Sequence, residues 1–158
     1  MRLLRGAVLA AGVLLAGCQG LYGGEPVARF PLQAGAEGGY LPVRFLLQPA
    51  MNPVTIRLHA DLAWGARAEG GQWNTYRATL RRDGQALQSR EFSINSPENA
   101  DRIVKSPAPS SAYRELMVID VPKDAEYELV IQALTPEVVT LRTPQLEVHA
   151  GTRRSMTP

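Results

Sequence analysis

The 158-residue chain contains one cysteine, two histidines and ten aromatic residues. A single thiol excludes an internal disulfide and a cysteine redox pair. Two histidines do not complete a closed four-ligand zinc site. Charge of one sign is also lacking. Seventeen Lys and Arg face fifteen Asp and Glu, and without Arg2 and Arg5 the counts are equal. Such a balance gives none of the electrostatic footprint of a nucleic-acid binder. The longest apolar run, Ala7 to Ala16, is well short of the roughly 20 residues that span a bilayer. Phosphate-binding glycine loops, a nucleophile elbow and a His-Glu-x-x-His pair are missing. Acidic residues are scattered rather than clustered, against a calcium loop.

The start of the chain has a different character. Arg2 and Arg5 precede the short apolar run, which ends in Leu15-Ala16-Gly17-Cys18. A basic leader, a short apolar stretch and small residues before a cut mark a segment to be removed before fold reasoning. The quartet resembles the lipobox of bacterial lipoproteins. The resemblance implies cleavage between Gly17 and Cys18 and a diacylglyceryl thioether on Cys18. It also implies residues 18–25 as a lipidated tether and a mature chain of 141 residues. Each buried methylene contributes about 0.8 kcal/mol, and two or more chains hold stably where one does not. Gln19 follows Cys18 where an Asp would signal inner-membrane retention in enterobacteria-like sorting. The resemblance therefore implies attachment at the periplasmic face of the outer membrane. The covalent lipid is the only prosthetic group expected, with no cofactor and no metal.

After the tether, residues 26–150 are expected to form one domain, and 151–158 a basic tail. The dominant period is two. Leu41, Val43, Phe45 and Leu47 alternate with Pro42, Arg44 and Leu46. Val54, Ile56, Leu58, Ala60, Leu62 and Trp64 alternate with Thr55, Arg57, His59, Asp61 and Ala63. Tyr127, Leu129, Ile131 and Ala133 alternate with Glu126, Glu128, Val130 and Gln132, and Leu146 and Val148 with Glu147 and His149. Alternation of this kind buries one face of an antiparallel sheet and leaves the other in water. Asp83-Gly84 predicts a two-residue hairpin turn inside Tyr76–Ile94. That loop pairs Leu80 with Leu87, and a bulge near Ser89 brings Phe92 back to the same face. Tyr113–Val121 reads as a further strand, with Val27–Gln33 and Val138–Arg142 as weaker ones. The expected fold is an all-β antiparallel β-sandwich, immunoglobulin-like or jelly-roll-like, of about eight strands.

Within the long connection 96–112, Ser96-Pro97-Glu98 has the form of a helix start. A short helix over 99–105 is expected. Asp124 and Tyr127 resemble a tyrosine corner with the spacing one residue short, beside the plainer reading of Tyr127 as core.

Candidate chemistry is sparse. His59 and Asp61 share the outer face of one strand, a spacing that could orient an imidazole for base catalysis or metal binding, although a solvated strand face is the favoured reading because no matching Ser, Cys or second His ligand is identifiable. His149 is read as an outward residue near the end of the domain. Trp64, Trp73 and Tyr76 surround the Gly-rich loop 65–72 and are the candidate binding surface for a sugar or a protein. Core packing is the competing reading.

Beyond the leader, the rhythm resembles small periplasmic β-sandwich lipoproteins. Its carriers are Tyr127-Glu128-Leu129, Thr135-Pro136-Glu137 and Leu146-Glu147-Val148. Some such proteins are thought to act as immunity proteins against secreted toxins. That implies a non-catalytic module binding a protein partner in the periplasm. No functional residue carries over from the resemblance. A structural component of an envelope or secretion machine, a carbohydrate-binding module, and a hydrolase using His59 and Asp61 stand as alternatives.

Overall fold

A computed structural model describes residues 24–36, 38–62, 73–95, 103–104 and 111–151. The strands are β1 (Glu25–Pro31), β2 (Tyr40–Leu47), β3 (Val54–Leu62), β4 (Trp73–Arg82) and β5 (Gln85–Asn95). They continue with β6 (Ile103–Val104), β7 (Ser111–Ile119), β8 (Ala125–Ala133) and β9 (Leu141–Ala150). A 3-10 turn at Pro49–Met51 links β2 to β3.

The path is one long hairpin wound into two sheets. Its closing turn is Asp83-Gly84, between β4 and β5. Working outward from there, β3 pairs with β7, β2 with β8 and β1 with β9, all antiparallel. Rolling this two-stranded ribbon adds the pairs β3–β9 and β4–β8. The sheets then read β1-β9-β3-β7-β6 and β2-β8-β4-β5. This is the winding of a jelly roll, and it decides between the two sandwich types expected from the sequence.

The alternating residues fill the space between the sheets. Val54, Ile56 and Leu58 from β3 meet Tyr76, Ala78 and Leu80 from β4 and Tyr127, Leu129 and Ile131 from β8, all buried. Each large aliphatic side chain so enclosed contributes about 1.5–3 kcal/mol.

Several local expectations are corrected. Asp83 and Gly84 take φ of 53° and 76°, as a type I′ turn requires. Leu80, however, faces Gln88, and the extra residue is Leu87, two positions before Ser89. Placing the bulge beside the turn sets Tyr76 opposite Phe92 and leaves Leu87 half-exposed. A second bulge at Leu116 lets both Leu116 and Met117 be buried.

The expected 99–105 helix does not form at Ile103–Val104. Those residues pair with Ala112 and Ser111 as a short edge strand. Two β-branched residues there satisfy backbone groups at the border of β7, which outweighs the local helix-start signal. Residues 96–102 and 105–110 lie outside the described residues. Val138 and Val139 belong to a loop, and β9 begins at Leu141. Tyr127 is buried, and its hydroxyl accepts from Arg82 Nη1 at 3.5 Å rather than pinning a crossover loop, so it is a core residue and no corner. Among the described residues, no helix is long and apolar enough to cross a membrane.

Candidate functional site

The outer face of the first sheet carries a cluster of ionisable side chains among the described residues. His59 on β3 and Glu147 and His149 on β9 alternate with the core residues Leu58, Leu146 and Val148 and so share the outer face. Glu147 is the centre. Its Oε2 is 3.0 Å from His149 Nε2, and its Oε1 is 3.1 Å from Arg29 Nε on β1. His59 Nδ1 stands 3.7 Å from Oε1, beyond a good hydrogen bond. Tyr113 of β7 lies flat on His59, with ring centres 4.3 Å apart and planes 3° apart. Asp61 accepts from Thr143 Oγ1 at 3.1 Å.

Glu147 is almost fully enclosed. The His149 hydrogen bond lowers its pKa below the usual carboxylate value. Desolvation opposes this, and the charges of Arg29, His149 and His59 reinforce it. The Tyr113 hydroxyl is pushed up by burial and then by the Glu147 charge.

These contacts define what the cluster can do. A histidine base requires one ring nitrogen on an orienting carboxylate and the other facing substrate. His59 Nε2 and His149 Nδ1 are buried and have no hydrogen-bond partner. No group of three or more His, Cys, Asp and Glu among the described residues could hold a metal ion. The cluster is a polar clasp tying β1, β9, β3 and β7 together from outside. His149 therefore points outward, as read from the sequence, yet is buried.

The proposed aromatic surface separates into two cases. Tyr76 is core, only 3% exposed. It stacks on Phe92 and Tyr40 with ring centres 5.4 and 6.1 Å away. Its hydroxyl accepts from Asn74 Nδ2 at 3.0 Å. Burial raises the pKa of both tyrosines. Tyr76 thus offers no face to a ligand. Trp64 and the side chain of Trp73 lie outside the described residues, as do Gly17 and Cys18.

A second region stands out by topology. Pro31 and Tyr40, Leu62 and Trp73, Asn95 and Ser111, and Ala133 and Leu141 flank four connections, and all are at one end of the sandwich. Among the described residues, the opposite end carries the turns at 48–53, 83–84 and 120–124. Asn74 organises the described part of the first end. Its Nδ2 donates to Val139 O at 2.7 Å, and its Oδ1 accepts from Val138 N at 2.8 Å and Val139 N at 2.9 Å. Gly39 matters equally. At φ 78°, a Cβ there would strike Ile131 O, so only glycine lets residues 38–39 lie on β8.

No family model matches this chain. No curated protein matches it either. Among solved structures, it is similar to a family GH115 4-O-methyl-α-glucuronidase with specificity for decorated arabinogalactans. The likeness covers 80% of this chain and 18% of that one, at 14% identity and a TM-score of 0.46. It is too slight to carry an argument.

Sequence reasoning missed Glu147 as the centre of the clasp, and Arg29 and Tyr113 as its walls. The only local signal was the Glu147-x-His149 spacing. Its meaning depends on which strands flank β9.

Proposed function

We propose that the chain is a lipid-anchored protein of the outer membrane's periplasmic face, serving as a non-catalytic protein-binding module. Immunity to a secreted toxin is the specific form favoured. The observation that carries the binding role is that the strand ends flanking four connections lie at one end of the sandwich. Sandwich domains bind through such end loops, because loop sequence can vary without disturbing the core. Leu15-Ala16-Gly17-Cys18 supports the anchor. The enclosed ring nitrogens of His59 and His149 weigh against the hydrolase alternative.

The test is affinity purification of the lipidated protein from detergent-solubilised membranes. A stoichiometric protein partner is expected. Its recovery should fall when the 134–140 loop is replaced by a Gly-Ser linker of equal length. Recovery unaffected by that exchange, or no partner in repeated trials, would overturn the reading.

A further inference from the structure

The chain enters the sandwich at one corner. Glu25, the first residue of β1, faces Ala150 of β9. The next residue of that strand's path, Gly151, donates its N–H to Met51 O at 3.0 Å. The entry point therefore lies beside the 3-10 turn at Pro49–Met51, at the short-turn end. That turn is fixed to its neighbour at 120–124. Asn52 Nδ2 donates to Val121 O at 2.8 Å, and Val121 N donates to Asn52 Oδ1 at 2.7 Å.

The surface around the entry point is apolar. Pro49 and Ala50 are exposed. Leu46, next to last in β2, is 73% exposed, and Val27 of β1 is 43% exposed. Phe30 of β1 packs on Phe45 of β2 with ring centres 5.8 Å apart, so both strands border the same side of the sandwich. Lys123 and Asp124 in the neighbouring turn are exposed as well. Leu41, Leu134 and Val138 are comparably exposed at the far end, so exposure alone does not choose between the ends.

The tether chooses. On the lipid-anchored reading above, on which this inference rests, the lipid sits on Cys18. The chain from Cys18 to Glu25 spans at most about 25 Å at 3.3–3.6 Å per residue. The far end lies the length of β9 from Glu25, from Ala150 back to Leu141, or about 30 Å at 3.3 Å per residue. Resting the four-connection end on a bilayer would need the tether taut along the whole domain, and it would still fall short. The sheet faces are a poor fit for another reason. Outside the second sheet stand the ion pairs Arg44–Glu128 at 3.0 Å and Arg77–Glu91 at 2.6 Å, and outside the first stands the exposed Arg29. Pressing such charges on lipid would cost their hydration.

We propose that the 48–51 turn, with Leu46 and Val27, is a bilayer-contact surface. The domain stands on the membrane by this corner and holds the four-connection end about 30 Å out. Pro49, Ala50 and Leu46 enter the headgroup boundary, where apolar side chains leave water. Lys123 and Asp124 remain among the headgroups, which keeps the contact shallow. Strong affinity is unnecessary. A short flexible tether holds the corner at roughly millimolar effective concentration, so a contact too weak to capture free protein is occupied.

The test is a depth measurement by fluorescence quenching. Cys18 is the chain's only cysteine, so an added thiol is the only free one once Cys18 carries lipid. Ala50→Cys and, at the far end, Glu137→Cys chains are purified with their lipid and labelled with a small dye. Both positions are exposed. The chains are reconstituted into vesicles of phosphatidylethanolamine and phosphatidylglycerol carrying headgroup nitroxides. The dye at position 50 should be quenched at least threefold more than the dye at 137. Adding Val27→Gln and Leu46→Gln should at least halve the quenching at 50, with the melting temperature unchanged because both side chains are exposed. Palmitate incorporation, read on the same samples, separates this proposal from the anchor. A palmitate-bearing chain quenched equally at both positions, or unaffected by the double change, would overturn the bilayer contact and leave the anchor standing. A chain without palmitate that fails to float with the vesicles would overturn both.

Discussion

Replacing Asn74 with alanine tests the sandwich end most directly. The carboxamide is enclosed and makes four hydrogen bonds, to Tyr76 Oη, Val139 O, Val138 N and Val139 N. Truncation leaves the N–H and C=O of Val139 buried without partners. Each stranded group costs about 1–3 kcal/mol. Val138 N–H is nearer the surface and can recover a water. The expected loss is about 3–4 kcal/mol, a large share of a single domain's stability. In urea, the midpoint should fall with the slope unchanged. In thermal melts, the drop should be about 10–15 °C. Asn74→Asp is the sharper companion. It keeps the acceptor for Val138 and Val139 but turns a second oxygen toward Val139 O, 2.7 Å from the present nitrogen. It should lose as much at neutral pH despite its near-identical size. A loss below about 1 kcal/mol for alanine would refute the claim that this side chain holds the 134–140 loop.

Glu147→Gln should cost about 1–3 kcal/mol at pH 7, by weakening the Arg29 and His149 contacts around a buried carboxylate. Because the native pKa is depressed, the carboxylate's stabilisation is complete above its ordinary value near 4.5 and is lost as pH falls through the native value. Urea midpoints measured down to pH 3 should therefore fall less steeply in the variant, and parallel profiles would contradict this. Gly39→Ala should cost at least about 2 kcal/mol, because its Cβ would strike the Ile131 carbonyl. Gly84→Ala, with open space around it, should cost only about 1 kcal/mol for the left-handed backbone, so equal melting temperatures for the two would defeat the argument. Cys18→Ser should abolish palmitate labelling and leave the leader uncleaved by mass spectrometry, whereas a labelled product would dismiss the lipobox.

Much of the sandwich was legible because its signals are local. Alternation in Val54–Leu62 and Tyr127–Ala133 states which side faces the core, and Asp83-Gly84 states where the ribbon turns back. The bulge was misplaced because Leu87 and Ser89 restore the same parity downstream. Only the packing of Leu87 distinguishes them. β9 was read as two fragments because Thr143 takes φ 47° and Pro144 follows it, an irregularity inside a continuous strand. The helix expected near Ile103 failed for the opposite reason. Ser96-Pro97-Glu98 is a sound local signal, but the unpaired backbone of Ser111 and Ala112 recruits Ile103–Val104 from a distance. The Glu147 clasp was illegible from sequence because its members come from β1, β3, β7 and β9. Only their non-local register makes them neighbours.

The edges of this fold show how such a chain manages without a staple. A sandwich has open edges by construction, and unpaired edge groups invite pairing with any extended chain. The reciprocal reach of Arg90 and Arg114 closes β5 against β7 through carbonyl acceptors. Guanidinium suits this task, since its donors diverge in a fixed plane and it is never neutral. Charge-assisted bonds to backbone carbonyls also resist exchange for water better than neutral ones. The closure acts at single carbonyls: residues 85–92 of β5, like Val43–Leu47 of β2, have no backbone partner on their outer side among the described residues.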